Sequence, residues 1–380
     1  MNDLYAIPQE LRDLRETIRR IADERIRPRA AEIDRTGEYP WDVRKLLAEN
    51  DVLALPFPTV YGGTGTGTLM VQMAVEEIAR VCASSSLILM VQDLGSMPIR
   101  LFGTEGQKER WLPSLASGEK TPAFALSEPE AGSDPASMRT SAVRDGSDWV
   151  INGQKNWTTN ATIADLYVVF AKTDRERGRI TAFVVESDRP GFDPGHLEHK
   201  LGIRGSPTGS PTLTDVRVPP ENVIGEVNHG LRVALGTLER TRLGVAAQAV
   251  GIAQGALDYA IGYANERVTF GVPIIEHEGI QFKLADMQTK TAAARELLYK
   301  ACALADRGEP GLSTWTSMAK LFASDVAMEV TVEAVQVLGG YGYVEDYPLE
   351  RMMRDAKITQ IYEGTNEVQR LVIGRAMRGA

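Results

Sequence analysis

Cysteine and histidine are scarce: two and four in 380 residues. Cys82 and Cys302 lie far apart, each inside an apolar pattern of helical spacing. Neither a disulfide framework nor a thiolate metal site can be built from them, and they read as buried thiols of a reducing compartment. His196 and His199 flank Leu197-Glu198, a spacing that would suit a metal if further ligands stood nearby; none do, and no metal is expected. No Ser-His-Asp or Cys-His pairing stands out. Basic excess is also missing. Forty-two Lys and Arg face 51 Asp and Glu, a net charge of −9, which removes general attraction to nucleic acid or anionic membrane. No apolar run reaches the length of a bilayer span. Met1-Asn2-Asp3-Leu4-Tyr5 is not a charged-then-apolar leader, and no Arg-rich transit segment precedes the first helix, so cytoplasm is the expected location.

What is present is an ordinary globular balance, 43% hydrophobic and 24% charged, in a chain long enough for two or three domains. Leu11, Leu14, Ile18 and Ile21 recur at helical spacing. Pro40 precedes a helix carrying Val43, Leu46 and Leu47. A third helix is predicted over 69–81. A fourth, over 87–101, is too apolar for a surface and so should be central. Thr104 with Gln107 offers a capping box to a short helix carrying Trp111. Near residue 121 the period changes. Short β-branched runs at 149–151, 166–170 and 180–185, punctuated by turns and without helices between them, predict a small sheet or barrel. Past residue 230 helix returns over 243–267, 281–307 and 314–338, with a further segment at 368–377. Four long helices would make a bundle. The expected class is α+β, mostly α, with domains at 1–120, 121–228 and 229–380.

One carboxylate stands in a telling place, in Ile361-Tyr362-Glu363-Gly364-Thr365-Asn366-Glu367. Glu363 has an aromatic before it, a glycine and a threonine after it, and a helix following. That setting suits a general base on a backbone that approaches a ligand closely; alone it also suits a solvated turn. Gly62-Gly63-Thr64-Gly65-Thr66-Gly67 lacks the Gly-Lys-Ser/Thr ending of a phosphate loop and reads as a helix–helix connection. Gly339-Gly340-Tyr341-Gly342 follows a helix, so it is a C-cap or a point of close approach to a ligand, not a dinucleotide fingerprint.

Glu363 gains meaning from two distant partners. They are Ala125-Leu126-Ser127-Glu128-Pro129-Glu130-Ala131-Gly132-Ser133-Asp134 and Gln336-Val337-Leu338-Gly339-Gly340-Tyr341-Gly342-Tyr343. In this order and at these separations, the three stretches resemble the acyl-CoA dehydrogenase family of flavoproteins. The resemblance runs from about residue 5 to the C-terminus. It implies an N-terminal helical domain, a central β-barrel or sheet domain and a C-terminal four-helix bundle. It also implies FAD as cofactor, an acyl-CoA substrate oxidised to the trans-2-enoyl-CoA, electrons passed to an electron-transferring flavoprotein, and a homotetramer built as a dimer of dimers.

Carried onto this chain, the resemblance sets Phe124, Leu126 and Ser127 along the flavin ring, and Gly132 and Ser133 against the flavin and the coenzyme A portion. Backbone amides and small hydroxyls suit the hydrogen-bonding edge of a flavin. Trp157 and Thr159 take the aromatic and the threonine near flavin N5, and Thr158 replaces a usual branched aliphatic. From a neighbouring subunit, Arg267, Thr269 and Phe270 would reach the flavin pyrophosphate, which an Arg fork matches well. His277 and Glu278 stand where His-Gln is usual. Gln336 and Gly340 complete that contact, and Thr365 and Glu367 touch the cofactor from the C-terminal side.

Glu363 takes the position of the base, removing the pro-R α-proton while the β-hydride moves to flavin N5. The thioester carbonyl would be polarised by the Glu363 backbone N–H and a flavin ribityl hydroxyl, and burial would raise the carboxylate pKa. Thr241 sits where some members carry the base on another helix, and a threonine cannot serve. Glu239 and Arg242, on the same helix, lie beside the pantetheine or form a surface ion pair. Tyr362 and Gly364 flank the base on the substrate side. No Arg occurs between Ala83 and Ile99, where glutaryl-specific relatives carry one near Ser84 and Ser86, so a short or branched saturated acyl group is favoured. The same motifs would serve an oxidase, a carrier-protein thioester dehydrogenase, or a non-catalytic flavin- or acyl-binding scaffold.

Overall fold

The computed structural model describes residues 7–379; the opening stretch 1–5 read above lies outside the described residues. Helices come first: α1 (Gln9–Ile21), α2 (Ala30–Thr36), α3 (Trp41–Glu49), α4 (Gly67–Ala79), α5 (Ala83–Phe102) and α6 (Glu105–Ala116). The capping box forms as expected. The Thr104 side chain accepts from Gln107 N at 3.3 Å, and the Gln107 side chain accepts from Thr104 N at 2.8 Å. α5 is the central helix, buried along nearly all of Ala83 to Ile99, because almost every side chain on it is apolar or small. The glycine-rich stretch 62–67 is the loop into α4.

Ten short strands follow: β1 (Pro122–Ala125), β2 (Ser141–Asp145), β3 (Asp148–Gln154), β4 (Thr158–Thr159), β5 (Leu166–Asp174), β6 (Arg179–Glu186), β7 (Phe192–Asp193), β8 (Thr208–Gly209), β9 (Thr212–Val218) and β10 (Val223–Ile224). Eight of them make one sheet in the order β10-β6-β5-β2-β3-β9-β7, with β1 paired parallel to β5; β4 and β8 pair apart. Buried side chains fill both faces of this sheet, and one of the two layers continues into α6 and the start of the next helix. The sheet is thereby welded to the helices rather than tethered to them.

The C-terminal part departs from expectation in two ways. The helix predicted from residue 243 begins at Gly230 and runs to Glu266 as α7, because Arg232, Glu239 and Arg240 dilute the apolar period of its first turns without stopping it. There are three long helices here, α7, α8 (Glu278–Arg307) and α9 (Leu312–Leu338), and two short ones, α10 (Leu349–Thr359) and α11 (Asn366–Ala376), rather than four long ones. α10, like α2, was not visible in the pattern. Its inward face includes Arg351 and Asp355 as well as Leu349 and Met352, so charge masks the apolar stripe. A small hairpin, β11 (Val268–Thr269) and β12 (Val272–Pro273), projects between α7 and α8.

α7 is the axis against which α4, α5, α8, α9 and α10 pack. Two of its glycines permit the closest approach. A Cβ on Gly251 would fall 2.3 Å from Glu76 O, and one on Gly255 would fall 2.0 Å from Arg80 O. Among the described residues, no helix is long and apolar enough to cross a membrane.

Candidate active site

The chain leaves α10 at Thr359 and re-enters helix at Asn366, with the Thr365 side chain accepting from Val368 N at 3.4 Å as N-cap. Between them, Glu363 has φ 53° and Gly364 φ 92°. Left-handed backbone costs a non-glycine residue on the order of 1–2 kcal/mol, so the surroundings must enforce it. They do so through consecutive carbonyls. Arg242 Nε donates to Glu363 O at 3.3 Å; Gln369 Nε2 and Lys320 Nζ donate to Gly364 O at 2.8 and 2.9 Å. The neighbouring Tyr362 hydroxyl bonds Gln248 Oε1 on α7.

The Glu363 side chain is half-buried among groups carried by α5, α7 and α9. Thr241 Oγ1 donates to its Oε2 at 2.6 Å. Burial pushes the carboxyl pKa up to about 7; Asp93 on α5 adds to this, while the Thr241 hydroxyl, Arg242 and Lys320 oppose it. Among the described residues, the Glu363 backbone N–H has no acceptor in the protein. A carboxyl that titrates near neutrality beside an unused N–H can take a proton from a ligand carbon and bind the adjacent carbonyl oxygen.

Along α7, Thr241, Gly244 and Gln248 follow one turn apart. A Cβ on Gly244 would lie 3.7 Å from both Gln72 Oε1 of α4 and Met90 Cε of α5. Gln248 Nε2 donates to Ala83 O and Ser86 Oγ at 3.2 and 3.1 Å. Gly244 is thus packed against α4 and α5, and Gln248 ties α7 to the start of α5.

A second group forms on the β layer. Lys155, fully buried, donates to Glu128 Oε1 at 2.8 Å and to Leu126 O at 3.3 Å, and Asn156 N donates to Ser127 O at 2.8 Å. These bonds tie the end of β1 to the start of β4 and make one ledge of Phe124, Leu126, Ser127, Trp157, Thr158 and Thr159. Trp157 has φ 56° and is 60% exposed, a large aromatic held outward. Beside it, Thr158 Oγ1 is buried without a partner in the protein. Gly132 and Ser133 are exposed beyond the Glu128–Ala131 bridge.

The third group surrounds the β11–β12 hairpin. The Arg267 guanidinium lies 5.7 Å from the Tyr341 ring centre, Thr269 Oγ1 meets His277 Nε2 at 3.0 Å, and Phe270, at φ 49°, is 97% exposed. Glu278 opens α8 and faces solvent, as do Gln336 and Gly340 at the end of α9. The residues expected at the site thus fall into three clusters. Among the described residues, no hydrogen bond or ion pair joins the hairpin cluster to the other two. Glu367 is exposed on α11.

One of the two readings of Arg242 is excluded. Arg242 is not in a surface ion pair with Glu239: it is 6% exposed and bonds the backbone of Glu363, because α7 turns that face into the bundle. The Thr241 hydroxyl is engaged by Glu363. The pattern also gave no warning of Lys320, Lys155, Gln248 or Gln72. For Lys320, Gln248 and Gln72 a long polar side chain on the apolar stripe of a helix was the available signal; Lys155, in the loop after β3, carried none.

Residues 8–119 match the acyl-CoA dehydrogenase N-terminal domain, 123–216 the middle domain and 228–378 the C-terminal domain. The chain therefore belongs to the acyl-CoA dehydrogenase family and is an FAD-dependent oxidoreductase acting on acyl-CoA. It is 49% identical over 377 residues to the probable acyl-CoA dehydrogenase fadE25 of Mycobacterium leprae, covering 99% of this chain and 97% of that one. Among solved structures, butyryl-CoA dehydrogenase from Megasphaera elsdenii superposes with a TM-score of 0.96 at 43% identity, covering 98% of this chain and 99% of the other. A chain from a structural study of the electron transferring flavoprotein of Acidaminococcus fermentans matches equally, with a TM-score of 0.96, 42% identity and coverage of 98% and 99%. The β ledge suits the cofactor. An outward Trp157 offers a stacking face, and the orphan Thr158 hydroxyl needs a hydrogen-bond partner from outside the protein.

Proposed function

We propose that the protein oxidises a short or branched saturated acyl-CoA to the trans-2-enoyl-CoA, with Glu363 as the base that removes the α-proton. The observation that carries this reading is the Glu363 carboxyl itself, held by the Thr241 hydroxyl, raised to about 7 by burial, and next to its own unused N–H. Phe124, Leu126, Ser127, Gly132, Ser133, Trp157, Thr158 and Thr159 would hold the flavin on the β ledge, with Thr365 and Glu367 on the far side. Bound there, FAD supplies the hydride acceptor. Glu363 takes the proton; its N–H orients and polarises the thioester carbonyl; Thr241 and Arg242 hold the carboxylate and its backbone; Tyr362 and Gly364 flank the base on the substrate side. Glu239, at the less buried side of the same turn of α7, would lie toward the pantetheine.

The acyl class follows from the lining. Thr241, Gly244, Met90 and Gln248 pack closely beside the Glu363 loop, which favours a short chain. No Arg precedes Arg100 on α5, and Arg100 is already paired with Asp93, so a distal carboxylate would meet Asp93 without a free cation. We assign the electrons to an electron-transferring flavoprotein, supported by the family resemblance and the Acidaminococcus neighbour. We further infer a homotetramer: Arg267, Thr269, Phe270, His277, Glu278, Gln336 and Gly340 stand apart from the ledge within one chain, and a second copy would bring them to it.

The test is anaerobic mixing of the FAD-loaded protein with a panel of acyl-CoAs while the visible flavin band is followed. Bleaching by short or branched thioesters, and its loss in Glu363→Gln with FAD retained, is the expected result. No bleaching by any saturated acyl-CoA would overturn the reading, and steady peroxide formation in air would assign oxygen as acceptor instead.

A further inference from the structure

Lys320 lies in the middle of α9 and is fully buried. Its Nζ donates to Gly364 O at 2.9 Å and to Asn366 Oδ1 at 2.8 Å. Both partners are neutral. Among the described residues, no carboxylate lies within ion-pair distance of this ammonium, although an unpaired buried charge is costly. A neutral donor would satisfy the same carbonyl, as Gln369 already does at 2.8 Å. A lysine kept here without an ion pair therefore calls for a reason beyond packing.

The reason is visible in what the helix reads. Lys320, Ser324 and Asp325 form one polar face on α9. Asn366 Nδ2 donates to Ser324 Oγ at 2.9 Å and to Asp325 Oδ1 at 2.8 Å, and Gln360 Nε2 donates to Asp325 Oδ1 at 2.7 Å. This face grips the Glu363 loop at its start, Gln360, and at its end, Gly364 and Asn366. Arg242 grips the Glu363 carbonyl from the opposite helix. Two cations on two helices hold consecutive carbonyls across the two left-handed residues.

We propose that Lys320 is a positioning residue for the base: by holding Gly364 O and Asn366, it keeps Glu363 in the backbone conformation that aims its carboxylate at Thr241. Its charge acts too. The groups facing Glu363 are Asp93 from α5, Arg242 with Glu239 behind it from α7, Lys320 with Asp325 and Glu367 behind it from α9 and α11, and the adjoining Tyr362. Lys320 and Arg242 favour the carboxylate, and Asp93 opposes it. Burial lowers the Lys320 pKa to about 7 against the pull of Glu363, so this help fades as pH rises past neutrality.

The inference rests on Glu363 being the base, and five holoenzymes separate the two: wild type, Lys320→Met, Lys320→Arg, Asn366→Asp and Glu363→Gln. Lys320→Met should retain FAD and lose kcat by on the order of tenfold to a hundredfold with KM little changed. Its acid limb in kcat/KM should move to higher pH, because a charge that favours the carboxylate is gone. Lys320→Arg should restore part of kcat. Asn366→Asp keeps the acceptor for Lys320 Nζ and sets a carboxylate beside the ammonium, at the loss of the amide's donation to Ser324 and Asp325. It should move the limb the same way, and it serves if Lys320→Met does not fold. Lower thermal stability with a wild-type kcat and an unmoved limb would overturn the proposal while leaving the base assignment intact. Turnover in Glu363→Gln would remove the base assignment itself.

Discussion

Glu363, the residue we propose as the base, is held against its own preferences. Its backbone is left-handed and its carboxyl is desolvated, and each feature opposes stability. Raised from an ordinary value near 4.5 to about 7, it binds more protons folded than unfolded between those values. The stability this carries is complete below the lower value and is lost as pH rises through the upper one. Glu363→Gln removes the ionisation. Denaturant unfolding of the holoenzyme should find the variant more stable than wild type by roughly 1–3 kcal/mol at about pH 8, with no gain near pH 4. An equal difference at both values would show that the carboxyl is not desolvated. Thr241→Val deletes the hydroxyl that donates to the carboxylate, so the acid limb of kcat/KM should move up by about one pH unit. A limb that stays in place would mean that the 2.6 Å bond does not bear on ionisation.

At the scale of elements, the site depends on how closely α4 and α5 approach α7. Gly255 has no room for a methyl group, since Arg80 O stands 2.0 Å from where a Cβ would fall. Gly255→Ala should therefore force the helices apart and cost roughly 1–3 kcal/mol in thermal or denaturant unfolding; a neutral result would mean that the junction yields easily. The same junction holds a buried ionic cluster. Glu77 accepts from Arg15 at 2.6 Å and from Arg19 at 2.9 Å, and Glu76 from Arg295 at 2.8 Å. Burial raises the Glu77 pKa, but Arg19 and Arg15 more than offset this and hold it below its ordinary value. Stability from Glu77 is thus present above the unfolded pKa and lost as pH falls through the folded one. Helix α1, predicted from its apolar spacing, is anchored by this charge pairing as much as by Ile18, which no pattern of apolar residues conveys.

Across the whole molecule, the helical and β regions are locked by a second cluster. Arg354 of α10 pairs with Asp34 at 2.6 Å and donates to Leu201 O at 3.0 Å, while Asp355 accepts from Ile203 N at 2.5 Å. This cluster joins α2, a β-layer loop and α10, so the ledge and the base keep a fixed relation. The hairpin cluster has no such tie to the ledge. Phe270, 97% exposed at positive φ, is the residue we expect a second copy to cover. Phe270→Asp should dissociate the assembly and release FAD together, measured by light scattering and by flavin absorbance of the eluting protein. Full assembly with bound FAD would place this hairpin outside the cofactor site.

Local pattern was enough to determine the kinds of element, their order and the capping box at Thr104, because periodicity, caps and turn chemistry act over a few residues. It was not enough for α2, α10 or the first turns of α7, where charges that are paired or tolerated in three dimensions interrupt the apolar period. The site divided in the same way. The resemblance named Glu363, but only the tertiary structure put the Thr241 hydroxyl on its carboxylate and Arg242 and Lys320 on its loop. Those contacts join residues more than 40 positions apart, and their strength comes from a desolvated interior that exists only once α5, α7 and α9 have packed.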